Sequence, residues 1–324
     1  MKTTITLLTA AFSLFMGGCE QNIEGPAQSA GTNAATHASS IPQEINFVQP
    51  TLFPEGLAFD TKRNRFYVSS ATFGTVGAIS YDGTYTPVVQ DEVLTGTTGL
   101  KLDRSNNRLF ISNAANGIGV YSPDDGSKIF YTELASLLPD QQIFINDVAI
   151  DPEGNAYVTN SFAPVIYKVD RHGNASVLFY HTDFSTAEGD FGFNGIVYDE
   201  TGFLLVAHTA LGVIIKINLK DPQDFSVIQF DAPIIFPDGM LLSKNGRQLA
   251  VVSYDQVLLF QSHDRWSSAE LISSFYTGSV FPTTLAADKR KIYVLYSHLD
   301  KLLAGEDEDT FTIRQADLLG LDVF

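Results

Sequence analysis

Short alternating apolar and polar runs, broken by clusters of turn residues, dominate the chain, and one arrangement of them returns six times. In "NDVAIDPEGNAYVTNS", which starts at Asn146, Val148 and Ile150 mark a first strand and Tyr157 and Val158 a second. Asp151-Pro152-Glu153-Gly154-Asn155 between them is turn chemistry. The same outline opens at Glu55 ("EGLAFDTKRNRFYVSS"), Thr98 ("TGLKLDRSNNRLFISN"), Asn194 ("NGIVYDETGFLLVAHT"), Asp238 ("DGMLLSKNGRQLAVVS") and Thr283 ("TTLAADKRKIYVLYSH"). Successive starts lie 43, 48, 48, 44 and 45 residues apart, and further strand-like runs such as Val165 to Val169 and Ala175 to Phe179 follow within each unit.

Four short antiparallel strands per repeat of that length predict a β-propeller blade. Six units predict an all-β chain folded as a six-bladed β-propeller, one domain over residues 44–324. The last unit is the weakest: its outer strands must come from around Thr310 to Val323, with Glu44 to Val48 as the closing strand. A seventh unit is not found.

In a propeller the first strand of each blade lines the central channel, and its first residue stands at one mouth. Those residues are Glu55, Thr98, Asn146, Asn194, Asp238 and Thr283: all carry an oxygen and none is apolar. All but Thr283 are followed by Gly or Asp (Gly56, Gly99, Asp147, Gly195, Gly239), and glycine lets the backbone come close to the axis. One Glu, one Asp and two Asn make a hard-cation donor set; Ca²⁺ takes about six to eight oxygens of this kind. The absence of His and Cys from the ring argues against zinc. The second strand returns to the same mouth, and its end residues Ser70, Asn113, Asn160, His208, Ser253 and Tyr296 predict an outer ring around a substrate. His208 is the candidate proton shuttle there, with a satisfied structural histidine as the alternative. Tyr296, Phe162 and Phe53 predict an apolar mouth without an Arg clamp.

Composition narrows the function classes. With 37 acidic against 20 basic residues the net charge is −17, which disfavours nucleic acid and anionic lipid as partners. The acidic run Gly305 to Asp309 reads as a solvated loop. Lys2, the apolar run from Ile5 to Met16, and Gly17-Gly18 before Cys19 read as a signal peptide over residues 1–18. Cys19 is the one cysteine of the chain, and its placement resembles a bacterial lipoprotein signal, in which that residue is lipidated; an ordinary cleavable signal is the alternative. Residues 19–43, rich in Ala, Ser, Thr, Gly and Asn, predict a flexible tether. The expected location is the cell envelope, periplasmic or extracellular face, with membrane contact only through the Cys19 lipid.

At "FPEGLAFD" (Phe53 to Asp60), "NDVAIDPEGNAYVTNS", "FNGIVYD" (Phe193 to Asp199) and "FPDGMLLSKNG" (Phe236 to Gly246), the sequence resembles the regucalcin/gluconolactonase (senescence marker protein) family of six-bladed propellers. Paraoxonases and strictosidine-synthase-like proteins are more distant likenesses. The resemblance covers roughly Pro50 to Ser253 and fades in the last blade. It implies a divalent metal, commonly calcium, at the channel mouth, held by Glu55, Asn146, Asn194 and Asp238. It also implies hydrolysis of a small-molecule lactone or ester there, with Asp238 as general base. A non-catalytic propeller that binds a ligand or protein, with calcium as a structural plug, is the reading from another class. Quinone-dependent oxidoreduction would need several inward Arg, Lys and His residues, and the ring has none.

Overall fold

The computed structural model describes residues 41–324. They form six sheets of four antiparallel strands, each sheet one blade of a β-propeller. Blade 1 comprises Leu57–Asp60, Arg65–Val68, Thr75–Ile79 and Tyr85–Gln90, from the channel outward. Blade 2 follows with Thr97–Asp103, Arg108–Asn113, Gly117–Tyr121 and Lys128–Glu133. Blade 3 has Ile145–Ile150, Ala156–Asn160, Val165–Val169 and Ala175–Tyr180, and blade 4 has Phe193–Asp199, Phe203–His208, Val213–Asn218 and Phe225–Val227. Blade 5 has Pro237–Leu242, Gln248–Ser253, Gln256–Gln261 and Ser268–Tyr276, with Gln229–Phe230 added in parallel at its outer edge.

Blade 6 is composite. Its inner strands are Pro282–Asp288, Lys291–Tyr296 and Thr310–Ala316, and Glu44–Val48 from the start of the domain pairs with Thr310–Ala316 as the outermost strand. The expected closing strand is therefore in place, and it joins the two ends of the ring through backbone hydrogen bonds. Residues just ahead of that strand are tied in as well. Ile41 is buried in the core between blades 6 and 1, and the Gln43 carbonyl accepts the Gln315 N–H. The signal segment and the rest of the tether, with Cys19, lie outside the described residues.

The strands lack the apolar-in, polar-out alternation of a one-sided sheet because both faces of each blade are covered. Alternation instead divides the side chains between neighbours. Phe66 and Val68 pack toward blade 6 while Tyr67 packs toward blade 2. Leu109 and Ile111 pack toward blade 1 while Phe110 packs toward blade 3. Six buried apolar clusters result, one at each blade-to-blade contact around the closed ring. A fully buried Leu, Ile, Phe or Val contributes about 1.5–3 kcal/mol, so the clusters supply the cohesion that a chain with a single cysteine cannot take from internal disulfides.

Near the axis the blades touch backbone to backbone. A Cβ on Gly99 would lie 2.7 Å from the Asn146 carbonyl oxygen, and one on Gly195 only 2.2 Å from that of Asp238. Glycine at these positions is a steric demand of closure. Three blades are approached through Phe-Pro steps, and Phe53, Phe236 and Phe281 all have φ between +45° and +49°. That left-handed turn costs a non-glycine residue about 1–2 kcal/mol. It reverses the chain sharply, and two residues later Glu55, Asp238 and Thr283 reach the channel.

Candidate functional site

The six first positions form one closed ring, traced by contacts between successive blades. Gly56 of blade 1 abuts the Thr98 carbonyl of blade 2, and the Thr98 hydroxyl donates to the Asn146 carbonyl at 2.9 Å. From blade 3 the Thr159 hydroxyl donates to the Asn194 carbonyl at 2.8 Å. Gly195 abuts the Asp238 carbonyl and Gly239 that of Thr283. The Thr283 hydroxyl closes the circle by donating to the Glu55 carbonyl at 2.8 Å. All six residues therefore stand at the same end of the channel.

Their side chains divide into two kinds. Thr98 and Thr283 are buried, and their hydroxyls are spent on neighbouring backbone, with Thr283 also bonded to Ser297 at 2.7 Å. They are straps between blades and do not present oxygen to the channel as the sequence suggested. Glu55, Asn146, Asn194 and Asp238 remain.

The orientation of the two amides follows from their partners. The Ser161 hydroxyl gives its proton to the Phe193 carbonyl at 2.7 Å, so toward Asn146 it can only accept, and the Asn146 Nδ2 faces it at 2.9 Å. Thr209 repeats the device: it donates to the Pro237 carbonyl at 2.8 Å and receives Asn194 Nδ2 at 3.1 Å. With the amino group held outward, the Asn146 Oδ1 is turned away, fully shielded and without a hydrogen-bond partner. One carboxylate oxygen of Glu55, Oε2, is in the same condition. Buried polar atoms without partners cost about 1–3 kcal/mol each, and such sites call for an explanation, a bound ion among them.

The electrostatics agree. Burial pushes the Glu55 carboxyl well above its ordinary pKa, and the charges of Asp238 and Asp147 push the same way; Lys101 opposes them. Asp238 is likewise raised well above the ordinary range by burial and by Asp147, against an Asn194 side-chain hydrogen bond and the Gly239 N–H. Glu55 and Asp238 thus sit close enough to repel, and Asn194 faces Asp238.

Two members of this field were not among the candidate site residues: Asp147, noted in the sequence only as the neighbour of Asn146, and Lys101. Asp147 is buried, and its Oδ2 accepts the Ile196 N–H at 3.2 Å. Lys101 occupies the place where other blades carry Ala58, Ala149, Val197, Leu241 and Ala286. A lone lysine among small apolar equivalents was the available signal. When ionised, three carboxylates against one ammonium leave two negative charges. Among the described residues no three His, Cys, Asp or Glu side chains form a metal-holding set by themselves. A cation here needs the asparagine oxygens, and the donor chemistry, the two orphaned oxygens and the charge suit a hard divalent ion.

The expected outer ring is a correction. Ser70, Asn113, Asn160 and Ser253 turn away from the channel and bond the loop that leads into their own blade, at the carbonyls of Leu52, Val93, Gln142 and Ile235. Tyr296 is packed in the cluster between blades 5 and 6. His208 is 0% exposed; its Nε2 lies 3.0 Å from the Phe184 carbonyl and its Nδ1 accepts the Leu211 N–H. Burial lowers its pKa. With both nitrogens engaged by backbone, His208 is a neutral packing histidine and not a proton shuttle at the mouth. In blades 3, 4 and 6 the side chains that reach the ring side chains, Ser161, Thr209 and Ser297, stand one position later, past the last ladder residue. In blade 1 the Ser69 hydroxyl, one position earlier, accepts the Glu55 and Gly56 N–H groups.

Around the mouth, Phe144, Phe162 and Phe191 form a triangle of rings with centroids 5.0–5.3 Å apart. Phe53, expected there too, is buried edge-on against Phe311. A cleft of about 520 Å³ is on the outer flank of blade 5 between Phe230 and His263, away from the channel.

Comparison with known proteins agrees with this architecture. A β-propeller repeat family matches residues 132–159, the run into and through the first two strands of blade 3. Solved structures share the whole ring: the major allergen Mala s 1 of Malassezia sympodialis aligns with a TM-score of 0.69 and 17% identity over 86% of this chain and 97% of that one. The chain is a β-propeller protein. A luciferin-regenerating enzyme aligns with a TM-score of 0.62 and 13% identity over 87% of this chain and 97% of that one. Virginiamycin B lyase of Staphylococcus aureus gives 0.56 and 13% over 84% and 97%. At these identities the likeness is one of fold. In sequence, the Arabidopsis thaliana protein strictosidine synthase-like 3 is 26% identical over 222 residues, 63% of this chain. The match spans 48% of that relative, about half its length.

Proposed function

We propose that the protein is a divalent-cation-dependent hydrolase of lactones or related esters, of the regucalcin/gluconolactonase type, with calcium as the cation. The observation that carries this is the closed ring in which two repelling carboxylates and two oriented amides leave polar oxygens unsatisfied. Glu55, Asn146, Asn194 and Asp238 would hold the ion, which when bound supplies a Lewis acid to polarise the substrate carbonyl. Of the side chains at the ring, Asp238 is the base of choice for a water attacking that carbonyl, since His208 is enclosed. The Asn194 amide orients the Asp238 carboxyl, and Ser161 and Thr209 keep both amides in register. The neighbours in fold include two enzymes by name, a lyase and a luciferin-regenerating enzyme, and an allergen, so the fold accommodates catalysis without requiring it.

The test is hydrolysis of δ-valerolactone and simple aryl esters with and without calcium, in the parent and in Asp238→Ala. Calcium-dependent turnover lost in the variant is expected. Equal rates in both would refute the role of Asp238. Calcium-dependent thermal stabilisation without any turnover would favour the binding-module reading. Anchoring to the cell envelope through Cys19 belongs to the same proposal, and palmitate labelling lost in Cys19→Ser is its check; an unlabelled parent removes the anchor.

A further inference from the structure

The mouth is not symmetric. Over blades 6 and 1 it is roofed by the segment between Tyr296 and Thr310, with its short helix Leu299–Ala304. The Asp309 and Glu308 carbonyls accept the Gln49 and Thr51 N–H groups at 2.9 Å, and Leu299 and Leu302 pack on the cluster that contains Phe53. Over blades 3 to 5 there is no such roof. There the loops present the Phe144–Phe162–Phe191 triangle, then Leu211 (52% exposed), then Phe236 (40%) and Tyr254 (51%), whose rings lie 6.2 Å apart. Backbone bonds make these loops one continuous rim. Gly192 donates to the Ser161 carbonyl, Ala210 to that of Phe191, and the Thr209 hydroxyl to that of Pro237.

The same three blades supply Asn146, Asn194 and Asp238. Phe144 and Phe236 each stand two residues before their ring member, and Phe191 three residues before Asn194. A continuous apolar arc therefore borders three of the four polar donors, whereas on the roofed side the exposed large apolar side chains are the separate Phe73 and Leu303. The six side chains of the arc, Phe144, Phe162, Phe191, Leu211, Phe236 and Tyr254, are all uncharged.

Resting on the hydrolase reading above, we propose that this arc is the binding shelf for the apolar substituent of the substrate, so that the substrates are lactones or esters with an alkyl or aryl group rather than sugar lactones. The substituent lies across blades 3 to 5 and its carbonyl sits over the ring.

The experiment measures binding of unhydrolysable δ-lactams carrying 6-methyl, 6-butyl and 6-heptyl groups to the full chain with calcium, by calorimetry. Hydrolysis of unsubstituted δ-valerolactone is measured in parallel. Burial of about 0.8 kcal/mol per methylene predicts that Kd falls up to about fourfold per added carbon until the shelf is full. Phe162→Ala and Phe191→Ala should remove most of that gain, while the calcium-induced rise in Tm is retained. Leu211→Ser, at an exposed position, gives a smaller loss in the same direction without risk to folding. Affinity that ignores chain length, or a gain untouched by all three variants, overturns the shelf. So does binding to neutral lipid vesicles with no lactam binding. Chain-length-dependent lactam binding without lactone hydrolysis keeps the shelf and removes the hydrolase; hydrolysis without chain-length dependence does the reverse.

Discussion

Asparagine at the head of a channel strand looks misplaced beside Val148 and Ile150, but its surroundings decide what it does. Ser161 commits its proton to backbone, so the Asn146 amide nitrogen must face it and the amide oxygen is left over. The carboxylates beside it show the same tension as charge. Glu55 and Asp238 have folded-state pKa values raised by burial and by neighbouring acids. A raised carboxyl contributes stability below its unfolded value, about 4, and loses it as pH rises through the folded value. Chelated protein should therefore gain stability on acidification from pH 7 toward 5. Asp238→Asn should remove part of that slope, raise the stability of the chelated protein at pH 7 by about 1 kcal/mol, and lose the calcium-induced rise in Tm. Thermal unfolding in EDTA and in calcium checks all three; a chelated variant less stable than the parent would contradict the repulsion.

Among elements, the segment between Tyr296 and Thr310 departs most from the repeat. The acidic run within it was read as a solvated loop, yet Glu308 is tied down. A hydrogen bond from the Lys301 ammonium, with help from the Thr310 and Asp309 N–H groups, holds its carboxyl at about 2. Here the sign is opposite: a depressed carboxyl stabilises above its unfolded value, about 4.3, and that contribution is lost as pH falls toward the folded value. The roof should stay docked from pH 7 to about 4.5 and loosen between there and about pH 2. Pepsin cleavage near Leu302 and Leu303, rising over that interval faster than cleavage elsewhere, is the expected result. Glu308→Gln should show the loosened pattern already at pH 5. The strand pairs themselves were legible because turn residues such as Asp151 to Asn155 punctuate them. The roof was not, because its short helix is stabilised by packing of Leu299 and Leu302 onto the core between blades 6 and 1 rather than by local propensity.

At the scale of the molecule, closure is the dominant fact. Glu44–Val48 completes blade 6 through five backbone pairings with Thr310–Ala316, so the first and last segments of the ring hold each other. Removing residues 41–48 would expose the edge of Thr310–Ala316 and take Ile41, Ile45 and Phe47, all buried, out of the core. Three such side chains lost from a core correspond to roughly 4.5–9 kcal/mol, a large share of a typical domain stability. The truncated protein should aggregate or unfold at a markedly lower temperature, with non-coincident fluorescence and circular-dichroism transitions. An unchanged, single transition would show that the ring does not depend on this clasp.

The repeat, the number of blades and the closing strand were all determined by the sequence, which also put Glu55, Asn146, Asn194 and Asp238 at the heads of their channel strands. Period-two patterning and regular turn chemistry are local properties, and a six-fold alignment exposes what is equivalent in each unit. Which polar residues face the channel was decided only in three dimensions. Thr98 and Thr283 occupy ring positions but spend their hydroxyls on the next blade. His208 and Asn160 end their strands one residue before the turn to the axis and fasten loops instead. Asp147 and Lys101 enter the field of Glu55 from another blade. A hydrogen bond between blades joins residues far apart in the chain, so no local pattern encodes whether an oxygen is spent or spare; packing decides it.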